Sequence, residues 1–292
     1  MDALRETTVI WTAELLRTLR SARIVVLLLL YLMFTLLSGL GVHGCSQSLK
    51  RQVEAQAAQL KEQGADPDEV EERIDQGMKG ARKQFVTVFF SDDEALTEAL
   101  LEIPLVLLVV FKLSLFFLPL YTGLMGFDQI SGELGTKSIR YLTVRSRRSA
   151  VLFGKFLAQA SLLALLMGVI DAALCLFGFL TQEGFGAGAM IATWGKFWGS
   201  ALVFSLAYLA LTSLCSALFR QSAVSLVTNL LALFSFWLLA FVAKLRHASV
   251  WFYRTDLLHP DASRFALAFF AHVGFAALFL GTAYLVLRRR DV

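Results

Sequence analysis

Residues 100–148 read LLEIPLVLLVVFKLSLFFLPLYTGLMGFDQISGELGTKSIRYLTVRSRR. The stretch is apolar as far as Met125, then polar and mostly basic from Phe127 to Arg148. An apolar run of about 20 residues matches the ~30 Å hydrocarbon core of a bilayer at ~1.5 Å rise per residue. Comparable runs fall at 24–42, 100–125, 153–180, 194–219, 223–244 and 265–287. Hydrophobic residues make up 57% of the 292 and charged residues 17%, with a mean hydropathy of +0.64. A single soluble core has too little volume to hide that much apolar surface. The sequence therefore predicts an all-α integral membrane protein of about six transmembrane helices, in one domain over 1–292. The runs are solid, whereas β-barrel strands alternate over about ten residues.

Outside the spans the chain is punctuated by charge. Residues 1–23 carry Arg5, Arg17, Arg20 and Arg23, while Leu4, Trp11, Leu15 and Leu19 recur near helical spacing. This predicts a helix lying along the membrane surface. Basic residues gather there, in the 127–155 segment and in Arg288, Arg289 and Arg290. Six spans put all three regions on one side, which the positive-inside rule makes cytoplasmic, with both termini inside. The opposite side includes TQEGFGAGAMIAT, without Lys or Arg, and Trp194, Trp198, Trp251 and Tyr253 sit as an outer aromatic belt would. The net charge of +4 is explained by this orientation, so nucleic acid is not expected as a partner.

Residues 43–98 read as an exterior helical insertion. Leu49, Val53, Ala57 and Leu60 form one stripe, and Val70, Ile74, Met78 and Ala81 another. Gly64 as a stop and Asp66-Pro67 as a start join them into a helical hairpin. Residues 46–84 thus offer a surface for an exterior partner. Ser91 with Glu94 makes a capping-box pattern before the second span. VHGC at 42–45 resembles a lipoprotein cleavage site, but His43 beside Cys45 and the length of the preceding run argue for a span. Cys45, Cys175 and Cys215 show no CxxC spacing and suggest neither disulfide nor zinc.

Catalytic motifs are not evident. GTKS at 135–138 lacks the glycine placement of a P-loop, and FGKF and WGKF fit no better. An intramembrane serine protease would oppose a buried Ser and His. Ser200, Ser205 and Ser213 with His272 offer the residue types without a glycine-framed nucleophile, and membrane helices use Ser freely in packing. Lys112, Asp171 and His272 fall inside spans, each about 8 to 11 residues from an outer end, a common depth at ~1.5 Å per residue. Ionisable residues at that depth need a partner or a water-filled path. A Lys112–Asp171 pair between adjacent helices and an ion or proton path both remain open.

The segment at 127–148 is too long for a tight turn. Ser131-Gly132 can break the preceding helix, and Ile139, Tyr141 and Leu142 alternate with Lys137 and Arg140 as in a short amphipathic helix. Ser146 or Ser149 could cap the third span. Such a helix suits docking to a cytoplasmic partner, charge setting register and the apolar residues anchoring. Basic residues here would also attract anionic lipid. The run FDQISGELGTKSIRYLTVRSRRSAVLFGKFLA resembles the cytoplasmic segment of exporter-like type-2 ABC transporter permeases. Asp128, Ser131, Gly132, Glu133, Gly135, Thr136, Arg140, Tyr141, Leu142, Arg145, Gly154 and Lys155 carry the match.

The resemblance implies a permease domain over 1–292 without its own ATPase. Two such permeases pair, as a homodimer or with a related chain, and bind two copies of a cytoplasmic ABC ATPase that holds ATP and Mg. No cofactor is expected on this chain. Asp128, Ser131, Gly132, Glu133, Gly135, Thr136, Lys137, Arg140, Tyr141, Arg145 and Arg147 would form the ATPase-coupling interface, within a coupling segment at 127–150. Glu133 would make charged contacts there or with the N-terminal surface helix. The resemblance also implies export and a bacterial inner membrane. Two other readings stand beside it: an ion-coupled secondary transporter using Lys112, Asp171 and His272, and a non-transporting membrane anchor. The Phe- and Leu-rich spans lean toward an amphipathic or lipid-like cargo.

Overall fold

A computed structural model describes residues 3–62, 76–77, 79–80, 82–88, 90, 93–181 and 186–290. No strand occurs among them. The helices are α1 (Ala3–Leu19), α2 (Ala22–Glu62), α3 (Glu94–Leu101), α4 (Leu105–Gly126), α5 (Ser131–Gly135), α6 (Ile139–Arg145), α7 (Arg148–Thr181), α8 (Ala187–Leu218), α9 (Ser222–Leu239) and α10 (Ala262–Arg289). Three short 3₁₀ turns, Arg246–Ala248, Phe252–Arg254 and Asp256–Leu258, separate α9 from α10. Five helices are long and apolar enough to cross a membrane, and a shorter apolar stretch, Val25–Gly41, lies in α2. The protein is an all-α integral membrane protein of about six spans.

Boundaries differ from the sequence reading for identifiable reasons. The first span does not stop at 42: α2 runs on to Glu62, because its second half is built of strong helix formers such as Gln, Ala, Leu, Lys and Glu. The proposed turn at Gly64 to Pro67 and most of the second hairpin stripe lie outside the described residues. Ser91 lies outside them too, and the cap of α3 is Asp93, whose carboxylate accepts from the Ala95 and Leu96 amides. The second span starts at Leu105 rather than 100, since Pro104 disfavours helix at Ile103. The fourth starts at Ala187, seven residues earlier than expected, so part of TQEGFGAGAMIAT is helical. The fifth ends at Leu239, where the Ser249 hydroxyl donates to the Phe236 carbonyl at 2.5 Å. That tertiary bond ends the span where no local signal does. The last span opens on Asp261, which accepts from the Ser263 amide.

The described chain divides into two compact units. One comprises Met1–Leu32, Leu115–Ala172 and Trp194–Val292; the other comprises Met33–Ser114 and Ala173–Thr193. In the second unit the Arg82 guanidinium donates to the Ile103 carbonyl at 2.6 Å. There Gly178 leaves room for Leu107, whose Cδ1 would stand 3.0 Å from any added Cβ. In the first unit, Trp194 and Trp198 stack at 5.8 Å and donate to the Gly168 and Ala164 carbonyls of α7 at 3.0 and 2.9 Å. Trp251 is buried and packs on Phe204 at 6.0 Å. Each of these three indoles thus makes specific contacts within the protein.

Gly168 sits under Trp198, and a Cβ there would stand 3.1 Å from the indole nitrogen. Trp198→Phe removes one hydrogen bond and should lower stability by about 1 kcal/mol. Gly168→Val should cost more, by wedging α7 from α8. Unfolding in graded dodecyl sulfate, followed by helical circular dichroism, would read both; a harmless Gly168→Val would contradict this packing.

Candidate functional site

At one end of the first unit, α1 lies against the start of α7 and the 127–148 segment. Glu6, Ile10, Glu14 and Arg17 fall at i, i+4, i+8 and i+11, so they share a helical face. Each meets a specific partner. The Glu6 carboxylate is buried and accepts the Arg147 amide at 2.8 Å, just before the first turn of α7, where negative charge is favoured. Ile10 lies on Gly154, where an added Cβ would come within 2.8 Å of its Cβ and Cγ2. The Trp11 indole donates to the Ser161 hydroxyl at 3.1 Å. The face carrying Leu4, Leu16 and Leu19 is exposed. Thus α1 turns its carboxylates, Glu6 and Glu14, inward and leaves these leucines and its arginines exposed, as suits a helix at a membrane surface.

The centre of the site is Lys155. Its ammonium donates to Glu14 Oε1 at 2.6 Å and to Glu133 Oε1 at 2.7 Å. The lysine side chain is 5% exposed, and the two glutamates are 21% and 14% exposed. Arg17 stands 3.8 Å from both carboxylates and brings the group to electrical neutrality. Charge-assisted bonds of this length, largely shielded from water, are the strong class. One lysine on α7 thereby ties the N-terminal helix to the segment between α4 and α7.

That segment is anchored by its apolar residues and by hydroxyls from below. Ile130, Leu134 and Ile139 are buried in a cluster with Leu152 of α7, Ala217 of α8, and Ala283 and Leu287 of α10. The Ser216 hydroxyl accepts the Ile130 and Ser131 amides at 2.9 and 3.0 Å, satisfying donors that the start of α5 would otherwise leave unpaired. Ser225 donates to the Phe127 carbonyl at 2.7 Å, and Gln129 donates to the Ser213 hydroxyl. Gly135 passes so near the Arg220 carbonyl that a Cβ would lie 2.7 Å from it. Lys137 then takes a left-handed backbone, φ 58°, which turns α5 into α6. Non-glycine residues adopt that region rarely.

The outer surface of the same segment is different. Thr136, Lys137, Arg140, Tyr141, Val144, Arg145 and Arg147 are exposed. Tyr141 and Val144 are 81% and 85% exposed, two large apolar side chains ringed by cations. Of the apolar residues expected in this amphipathic helix, Ile139 is buried, Leu142 is half-buried and Tyr141 faces out. Asp128 is half-buried in the turn after α4, Ser131 is buried, and Gly132 lies 3.7 Å from the Ser222 hydroxyl by its virtual Cβ. Neither Ser146 nor Ser149 is needed as a cap, because Glu6 serves there.

Arginines close the ends of neighbouring spans. Arg148 donates to the Leu287, Arg288 and Arg290 carbonyls at 2.9, 2.7 and 2.8 Å, and Arg290 donates to the Leu218 carbonyl. Helix C-termini carry unpaired carbonyls and partial negative charge, so both contacts are favourable. Partial burial, and then the charge of Arg220, press the Arg290 guanidinium below its ordinary pKa, though a guanidinium stays cationic.

The intramembrane residues sit elsewhere. Asp171 is buried with Oδ2 lacking a hydrogen-bond partner. His272 is buried, its Nδ1 on the Ala268 carbonyl at 2.7 Å and its ring edge-on to Phe204 at 5.7 Å. Lys112 belongs to the second unit, with its ammonium 4.9 Å from the centre of the Phe90 ring. The sequence reading missed Glu6, Glu14 and Ser216 altogether. The Glu6–Glu14 spacing with Ile10 between them was the available signal.

A polytopic helical bundle with a surface helix locked to a basic, outward-facing segment between two spans is the form of a membrane transport component. A family model described as ABC-2 family transporter protein matches residues 8–260. The chain belongs to that family, whose members are the membrane permease components of ABC transporters and work with an ATP-binding partner. No curated protein matches the chain.

Lys155→Met strands two buried carboxylates, and breaking one buried pair costs about 3 kcal/mol or more. The triple change Lys155→Met, Glu14→Gln, Glu133→Gln should recover most of that loss. Thermal melting of the three proteins, unaltered, single and triple, in detergent checks this; equal loss in the single and triple variants would show that the charges are not coupled.

Proposed function

We propose that the chain is the permease subunit of an exporter that takes its energy from a separate cytoplasmic ATPase. The observation that carries the reading is the exposed surface of α5 and α6. Two bare apolar residues, Tyr141 and Val144, stand among Lys137, Arg140, Arg145 and Arg147. Monomeric surfaces rarely leave such a knob without a use, and an aromatic anchor inside a charged rim is how a protein interface is built. The basic rim favours an acidic cleft on the partner; ATP and Mg would be held elsewhere on that partner chain.

The latch explains how a push on this knob would travel. The knob is rigidly seated through Ile130, Leu134 and Ile139, and Glu133 ties it through Lys155 to α1 and α7. Movement of the ATPase dimer would shift α5, α6, α1 and the inner end of α7 as one body. Such a shift alters access through the spans only if the two states differ in their affinity for ATP. The family pairing implies a second permease copy, and the basic residues at this end favour a cytoplasmic placement of both termini in a bacterial inner membrane. Lipid contact at the outward face of α1 fits its exposed leucines.

Affinity purification of the tagged chain from membranes, in mild detergent, should recover a soluble P-loop ATPase. Arg140→Glu with Arg145→Glu should lose at least about nine-tenths of it, as like charges oppose at the rim, while the membrane level of the permease stays unchanged. Undiminished recovery with the reversed charges would reject this docking surface.

A further inference from the structure

A cavity of about 370 Å³ opens in the first unit, lined by Phe116 and Leu120 of α4, Tyr208 of α8, Phe234 and Trp237 of α9, and Trp251 from the turns before α10. Its walls are almost wholly apolar and aromatic. Phe116 and Phe234 are more than half exposed at its edge, so a chain could enter from the side of the bundle. Its size lies in the range of small-ligand sites, roughly 300 to 1,000 Å³.

A cation stands against one wall of this cavity, Trp251. Arg254 places its guanidinium 4.5 Å from the centre of the Trp251 ring and donates from Nη1 to the Trp251 carbonyl at 2.8 Å. Trp251 is itself a lining residue, as is Tyr208. Among the described residues no carboxylate pairs with Arg254; Asp261, in the same loop, accepts instead from Ser263 at 2.9 Å. A guanidinium has five N–H donors, and one is spoken for. Tyr208, among the residues lining the cavity, adds a hydroxyl. An unpaired cation beside an apolar slot in a membrane protein is costly unless an anion completes it.

We propose that this cavity binds an anionic membrane lipid, with an acyl chain in the aromatic slot and the acidic headgroup on Arg254 and Tyr208. Charge complementarity selects the occupant: the slot suits any acyl chain, while Arg254 favours a phosphate without a compensating ammonium over a zwitterionic headgroup. The site is a property of this chain alone and does not depend on the ATPase pairing proposed above, since binding can be read with no partner present.

The test uses the purified full-length chain in detergent micelles doped with phosphatidylglycerol or phosphatidylcholine carrying the same brominated acyl chains. Bromine quenches tryptophan at short range, and Trp237 and Trp251 line the slot. Half-maximal quenching should need about tenfold less phosphatidylglycerol than phosphatidylcholine, the ratio that one charge-assisted contact supplies. Arg254→Gln should abolish the preference by weakening the phosphatidylglycerol arm alone, and Arg254→Lys should keep part of it. Leu233→Trp, which fills the slot, should weaken both lipids, with helical content and melting unchanged. Equal quenching by the two lipids in the unaltered chain would overturn the proposal. So would a preference that survives Arg254→Gln, which marks general attraction to the basic surface. Disulfide formation in high yield between two copies carrying Phe234→Cys, with lipid excluded, would overturn it as well, because a second copy would then occupy the slot. Loss of lipid selectivity with ATPase recovery intact would sink this site and leave the permease reading standing.

Discussion

One ammonium group ties together α1, α5 and α7. Lys155 of α7 is shared between Glu14 of α1 and Glu133 of α5, with Arg17 as the outer counter-charge. Taken singly, a buried lysine or a buried glutamate is expensive. Taken together they satisfy one another, and the penalty becomes a condition: all three elements must be in place at once. A hydrophobic seam could hold α1 as firmly, but it would tolerate sliding. A shared, directional ion pair fixes register, which is the property a mechanical linkage needs.

The rest of the segment follows from that fixing. Glu6 holds the start of α7, Gly154 lets Ile10 reach its backbone, and Ser216 takes the first amides of α5. The inward apolar residues of α5 and α6 are therefore taken up in packing. What remains outside, Tyr141 and Val144 within a ring of Lys and Arg, has no structural task in the chain itself. The division between used and unused side chains sets Tyr141 and Val144 and the cations around them apart more sharply than charge alone, because Arg148 and Arg290 are also basic and both are spent on helix ends.

Much of this was legible in the sequence. The spans could be counted because bilayer thickness imposes a length on apolar runs, and the 127–148 segment stood out as the longest basic interruption. The resemblance carried by Ser131-Gly132-Glu133 and Gly154-Lys155 reached the family directly. Other features were hidden for physical reasons. Glu14 lies far from Glu133 and Lys155 in the chain, and nothing local says that α1 turns its carboxylates inward; the leucine stripe suggested only that its other side meets the membrane. The end of the fifth span depends on a hydroxyl-to-carbonyl bond from Ser249. Which of Ile139, Tyr141 and Leu142 turns inward was not legible, because a seven-residue helix offers too little periodicity to tell its faces apart. The tryptophans near the outer ends matched an interfacial belt by position, yet three of them pack within the protein.

The most direct test of the central claim is photo-crosslinking from position 141 in intact membranes, using a genetically encoded benzophenone in place of Tyr141. The account predicts an adduct with a soluble ATPase, identified by the mass of its peptides, and no such adduct from a control at the buried Ile139. An unaltered chain that crosslinks only to lipid from position 141 would contradict the claim that this surface couples the permease to its motor.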